Sequence, residues 1–174
     1  MREFRAEDEP DIHEYGSDPI VSRYCEWGPN TPQDTHAMVA LRCDAQRKWP
    51  RDEVDLATEL VDVGKVIGSI TLAVVSRAHQ TGMIGYAFSN LCWNRGYATE
   101  AAAALVRTGF EVLGLHRIWA TCDTRNVASW RVMEKIGMRR EAFFRRDVLQ
   151  KGEWRDSYLY AALREEHEVG YARD

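Results

Sequence analysis

Residues Met83 to Leu113 constrain the fold of this chain more than any other stretch. A short apolar run, Met83 to Phe88, is bounded by Gly82 and Asn90. After it comes Trp93-Asn94-Arg95-Gly96-Tyr97-Ala98-Thr99-Glu100. The segment Tyr97 to Leu113 then carries apolar residues at Ala98, Ala101, Ala102, Leu105, Phe110 and Leu113, close to helical period. The order is strand, small-residue loop, helix. Such a corner gathers backbone N–H groups at a helix N-terminus, where they have no partner within the helix. The helix dipole adds partial positive charge at the same point. The corner therefore suits a phosphate-bearing ligand.

The remaining elements follow from period and punctuation. Residues 7 to 16 read as a short helix carrying Ile12 and Tyr15, ended by Pro19. Thr31-Pro32 predicts a helix start, with Thr as N-cap and Pro in the first turn. That helix runs to about Lys48, with Ala37, Met38, Leu41 and Ala45 as its apolar face. Val54 to Val61 and Val66 to Val75 read as strands joined by the hairpin signal Asp62-Val63-Gly64-Lys65. Gly114 followed by Leu115 closes the long helix with a left-handed cap. Arg117 to Cys122 is a strand, and Asn126 opens a helix to about Ile136, closed by Gly137 and Met138. Glu141 to Leu149 and Trp154 to Leu163 are strands turning at Lys151-Gly152. The polar tail, 164–174, is expected to fray. With no repeat, low-complexity segment or linker, residues 1–174 read as one domain of α/β (α+β) class.

The loop is neither a P-loop, which ends Gly-Lys-Ser/Thr, nor a dinucleotide loop, which needs three glycines. It resembles the pyrophosphate loop of the GNAT acyltransferases, Arg/Gln-x-x-Gly-x-Gly/Ala. Gly96 and Ala98 match the last two positions, while Trp93 departs from the first. The string Gly96 to Ala101 is most similar to the branch of ribosomal-protein N-terminal acetyltransferases. A second match follows the strand Arg117 to Cys122. Asn126-x-x-Ser129, then a helix ending Glu134-Lys135-Ile136-Gly137-Met138, resembles that family's second acyl-CoA motif. On residue type alone, Asn126 reads equally well as a helix N-cap. A third, Gly152-Glu153-Trp154-Arg155-Asp156, resembles the branch's Gly-x-Trp-x-Asp turn. The matches stand in the family's order over nearly the whole chain. One departure is at the start, where only Arg2 to Arg5 could supply the usual first strand.

The resemblance implies a GNAT-like domain: a central mixed, mostly antiparallel sheet, splayed in the middle, with helices on both faces. It implies transfer of the acetyl group of acetyl-CoA to a primary amine, by direct attack through a ternary complex. The acceptor would be a protein N-terminal α-amine or a small amine. Cofactor contacts would come from Phe88, Trp93, Asn94, Arg95, Gly96, Tyr97, Ala98 and Thr99, with Asn126 on the pantetheine or an ordered water. A backbone N–H near Phe88 could polarise the thioester carbonyl. Ser129 is the candidate proton donor to the departing thiolate and, with Asn126, the catalytic pair. An α-amino group, with a pKa of about 8, needs less help from a base than a lysine at about 10. Glu59, Glu141 and Asp147 are candidate bases, though each reads more readily as a solvated strand carboxylate. Trp27, Trp49 and Trp154 are candidates for an acceptor cleft, with core filling the commoner role for such rings. No step calls for a metal. Relatives are often dimers, and the late hairpin is the expected contact. The alternative is an acyl-CoA sensor of the same fold without turnover.

Composition narrows the classes further. The 174 residues, 45% hydrophobic and 29% charged, suit a globular core. A net charge of −4 gives no footprint for nucleic acid. No apolar run approaches the roughly 20 residues that cross a bilayer. The N-terminus Met-Arg-Glu-Phe-Arg-Ala-Glu-Asp lacks an apolar signal region, so no membrane partner and a cytoplasmic location are expected. Cys25, Cys43, Cys92 and Cys122 have no metal or redox spacing and read as small buried hydrophobes. Cys92 borders the loop without a base beside it in sequence.

Overall fold

Local chemistry sets the helix ends. In the computed structural model, which describes residues 1–171, Thr31 caps helix α2 (Pro32–Ala45) in a reciprocal box. Its hydroxyl accepts the Asp34 N–H, and Asp34 accepts the Thr31 N–H. Asn126 caps helix α4 (Val127–Lys135) by accepting the Ser129 N–H on its side-chain oxygen. Gly114 and Gly137 both have positive φ, and the Met138 N–H reaches back to Met133 O, as a left-handed cap requires.

The other elements are α1 (Glu9–Gly16), β1 (Glu53–Leu60), β2 (Lys65–Ser76), β3 (Thr81–Phe88), α3 (Tyr97–Glu111), β4 (Arg117–Asp123), β5 (Arg139–Gln150), β6 (Glu153–Leu163) and α5 (Arg164–Tyr171). They make an open α/β fold with one six-stranded mixed sheet of order β1-β2-β3-β4-β6-β5 and flanking helices. The β3–β4 pair is parallel and is short: Thr81, Gly82 and Met83 face Arg117, Ile118 and Trp119. β4 and β6 pair antiparallel along all of β4, from Arg117↔Leu163 to Asp123↔Ser157. β5 and β6 also pair antiparallel, with bulges between Arg140 and Ala142 and between Phe144 and Val148. Their turn, Lys151-Gly152, has positive φ at both residues, the conformation that suits a two-residue hairpin.

The chain forms two compact units. The first comprises residues 1–71 and 86–101. Its core joins Phe4, Ile12, Tyr15, Val21, Val39, Ala57 and Val66, with Met38 and Cys43 against it. The second comprises residues 72–85 and the chain from Ala102 onward. Its buried residues include Leu105, Val106 and Phe110 of α3, Ile118 and Ala120 of β4, Met133, and Tyr160 of β6.

One expectation, the buried face of α2, is corrected. The face α2 buries is Thr35 and Val39; Ala37 and Leu41 are exposed. The phase slipped because a polar residue, Thr35, goes inward, satisfied by a 2.9 Å hydrogen bond with His13 Nδ1. In the tail, Arg164–Tyr171 is helical. Glu165 and Glu166 sit in its first turn, where carboxylates are favoured, and the Arg164 guanidinium donates to Leu115 O at 2.6 and 2.8 Å. Residues 172–174 of that tail lie outside the described residues. The first strand, for which the sequence offered only Arg2 to Arg5, is a single antiparallel bridge, Arg2↔Ala57.

Candidate functional site

The loop residues lie in the first unit. β3 ends at the buried Phe88, and the Ser89 N–H donates to Ile67 O on β2 at 2.8 Å. A single 3-10 turn, Asn90–Cys92, carries the chain to Trp93. The Trp93 indole N–H then donates back to Phe88 O at 2.8 Å. Asn90 donates from its side chain to Asp18 at 2.7 Å, and Asp18 also accepts the Ile20 N–H, so the segment after α1 is tied to the end of β3.

Asn94 and Gly96 both have positive φ, 60° and 87°. Glycine adopts that backbone without strain, and Asn does so more readily than most residues. The turn they make delivers the chain into α3, where the Glu100 N–H bonds to Gly96 O at 2.9 Å. With that as the helix's opening bond, the N–H groups of Tyr97, Ala98 and Thr99 have no intrahelical acceptor. Asn94, Arg95 and Gly96 are exposed, and a Cβ at Gly96 would meet nothing within 4 Å. The arrangement is an open set of N–H donors at a helix N-terminus, with Arg95 at its rim.

Close packing shapes the strand behind this loop. A Cβ at Gly68 on β2 would lie 2.5 Å from the Phe88 ring and 2.6 Å from Ala87 O. Glycine therefore lets the end of β3 approach β2. Ala87 O points toward β2, so the Phe88 N–H of the same peptide unit points away from it.

Asn126 and Ser129 lie in the second unit. The buried Asp123 carboxylate accepts the Arg125 main-chain N–H at 2.8 Å and the Arg125 guanidinium at 2.6 and 3.0 Å. The Asn126 N–H bonds to Asp123 O, and the Thr124 N–H to Asp156 O. These bonds fix the turn from β4 into α4. Asn126 is the helix cap, with its side-chain oxygen 3.3 Å from the Ser129 nitrogen. The Ser129 hydroxyl is hydrogen-bonded to the Cys122 thiol. Burial pushes that thiol up to about 11, and the Ser129 bond opposes the shift. Cys122 is thus a neutral thiol near neutral pH, not a nucleophile.

Of the candidate bases, Glu59 is held by the Arg2 guanidinium at 2.5 Å. Glu141 is paired with Arg117, whose hydrogen bonds pull its carboxyl below the usual range, so it is a poor proton acceptor. Asp147 is exposed on β5. Trp27, Trp49 and Trp154 are all exposed, so none fills the core. All four cysteines are half-buried thiols outside any disulfide. Three features were missed from sequence: the Trp93 indole bond, the Asp123 clamp and the Cys122–Ser129 contact. Only the clamp had a local signal, an Asp two residues before a chain turn.

Comparison with known proteins matches residues 1–139 to the acetyltransferase (GNAT) domain. This chain belongs to the GNAT acetyltransferase family. It is similar to the uncharacterized N-acetyltransferase YnaD of Bacillus subtilis, 41% identical over 95% of this chain and 94% of that one. It also resembles a GNAT-family acetyltransferase structure from Bacillus anthracis, with a TM-score of 0.83 and 38% identity over 94% and 93% of the two chains. The spermidine N-acetyltransferase of Vibrio cholerae, solved with CoA and spermine, shares the fold, with a TM-score of 0.80 and 15% identity over 96% of each chain. The chain is an acetyl-CoA-dependent N-acetyltransferase, and the sensor alternative is not favoured. Among its described residues no helix is long and apolar enough to cross a membrane.

Proposed function

We propose that this enzyme transfers the acetyl group of acetyl-CoA to a protein N-terminal α-amine or a small primary amine, by direct attack in a ternary complex. The observation that carries the reading is the open donor set at the start of α3, shaped by the positive φ of Gly96. The pyrophosphate takes the amides of Asn94 to Thr99, with Arg95 adding charge. Trp93 belongs to this loop. The pantetheine arm bonds main chain at Phe88, and the Phe88 N–H, turned away from β2, polarises the thioester carbonyl and the oxyanion that follows.

The neutral amine attacks that carbonyl carbon, and the tetrahedral adduct expels CoA thiolate. Ser129 gives the thiolate its proton and regains one from the attacking nitrogen as the amide forms, while Asn126 bonds the pantetheine or an ordered water. No carboxylate is assigned as base: Glu59 and Glu141 are engaged by arginines, which suits an α-amine that loses its proton near neutral pH.

Two acceptor classes have separate support. The string Gly96 to Ala101 favours the ribosomal-protein N-terminal branch, while the spermine-bound relative favours small amines. We also propose a homodimer through the β5–β6 hairpin, supported by four exposed apolar side chains there, Phe143, Phe144, Leu149 and Trp154. Light scattering on a size-exclusion column tests it, and a monomer at high micromolar concentration removes it.

Calorimetric titration with acetyl-CoA, and CoA as comparison, tests the central reading. Micromolar binding is expected, followed by free-thiol release with N-terminal peptides or with small amines. A folded protein that binds neither ligand would remove the proposal.

A further inference from the structure

The peptide unit closing β3 is bonded on both sides. Its N–H, on Ser89, reaches Ile67 O at 2.8 Å, and its carbonyl, on Phe88, accepts the Trp93 indole N–H at 2.8 Å. The preceding unit has Ala87 O turned to Gly68, which leaves the Phe88 N–H facing away from β2. Trp93 opens the loop whose amides begin α3. One side-chain hydrogen bond thus ties the amide-bearing loop to the strand end that carries the Phe88 N–H.

We infer that Trp93 is a positioning residue for acyl transfer. Its indole N–H, by holding the Phe88 carbonyl, sets the span between the Phe88 N–H and the amides of α3. The inference rests on the function proposed above, in which those two sets of N–H groups grip opposite ends of one acetyl-CoA. A span that drifts costs the thioester end its alignment, while the pyrophosphate keeps its own amides. Turnover should therefore suffer more than affinity. The departure from the family pattern at this position is also accounted for. Arg, Gln and Trp differ in shape and charge, but each presents a side-chain N–H. The property kept at position 93 is the donor, not the charge.

Trp93 is 41% exposed, so replacing it opens no core. The test compares wild type with Trp93→Phe, which keeps a ring without a donor, and Trp93→Gln, which keeps a donor without the ring. Measurements are kcat by thiol release, the Kd for CoA by calorimetry, thermal melting, and hydrogen exchange of the indole N–H in ligand-free wild type. The Phe variant should lose about tenfold in kcat, the size of one positioning hydrogen bond, with Kd within about twofold. The Gln variant should recover most of that loss, and the wild-type indole N–H should exchange slowly. Full turnover by the Phe variant overturns the inference. So does a Kd that rises as far as kcat falls with Gln no better than Phe, because the ring would then simply touch the ligand. A wild type that binds no CoA removes the functional proposal and this inference together. An active wild type with an unaffected Phe variant removes this inference alone.

Discussion

Ser129 and Cys122 share a hydrogen bond, and its direction decides whether the Ser129 proton is available. The bond lowers the Cys122 pKa against the effect of burial, as an O–H donated to sulfur does, so the Ser129 proton must turn from that sulfur to reach a departing thiolate. If Ser129 protonates the departing thiolate, Ser129→Ala should lower kcat by at least about tenfold with little change in the Kd for acetyl-CoA. Stopped-assay kinetics beside calorimetry separates the two, and unchanged kcat would leave Ser129 as part of the helix start only. At Gly96 the argument is about the ligand. A side chain there meets no protein atom, so the fold loses only the strain of a positive φ, about 1–2 kcal/mol. Gly96→Glu should nevertheless abolish CoA binding, because a carboxylate would stand where pyrophosphate approaches. A folded Glu variant that titrates like wild type would refute the assignment of the loop.

At the scale of elements, the pairing of β2 with β3 sets the geometry of the loop, and Gly68 is where it is most exposed to challenge. Gly68→Ala would place a methyl 2.6 Å from Ala87 O, a main-chain atom that cannot rotate aside. We expect a loss of about 1–3 kcal/mol in urea unfolding, as for other overpacked sites, together with weaker CoA binding. A variant as stable as wild type would mean that the strand end shifts freely. This contact shows why part of the site was hidden in the sequence. Caps are local, so Thr31, Asn126, Gly114 and Gly137 announced their helix ends through residue type and spacing. The Gly96 loop was legible for the same reason. Gly68, by contrast, reads as an ordinary strand glycine until Phe88, twenty residues on, is laid across it. The Trp93 indole is within five residues of its acceptor, yet aromatic residues carry no rule for direction. Helix α2 slipped in phase because a satisfied Thr35 counts as polar in any pattern and as core in the fold. Ser129 gave away its cap geometry but not its thiol neighbour, because burial of Cys122 depends on the sheet as a whole.

For the whole molecule, the shortened first strand raises the question of what holds the N-terminus to β1. Two main-chain bonds do part of it, Arg2 N–H to Ala57 O at 3.0 Å and Ala57 N–H to Arg2 O at 2.8 Å. The Arg2 guanidinium adds to it, reaching Glu59 of β1 at 2.5 Å and both Asp8 oxygens at 2.7 Å. Burial of Asp8 works to raise its pKa, but the Arg2 hydrogen bonds and the Arg5 N–H outweigh it, so the carboxyl lies below its ordinary value. A depressed folded-state pKa stabilises the fold above the unfolded value of about 3.9 and ceases to do so as pH falls through the folded value. The contribution should be complete at pH 7 and fade below about pH 4. Asp8→Asn leaves Arg2 short of its main partner, and at pH 7 it should lose about 2–3 kcal/mol in urea unfolding, near the lower end for breaking a buried pair. Since protonation removes the same charge from wild type, the gap between the two proteins should narrow steadily from pH 5 toward pH 3. A gap that stays constant across that range would assign the effect to packing around Asp8 and not to its charge pair with Arg2.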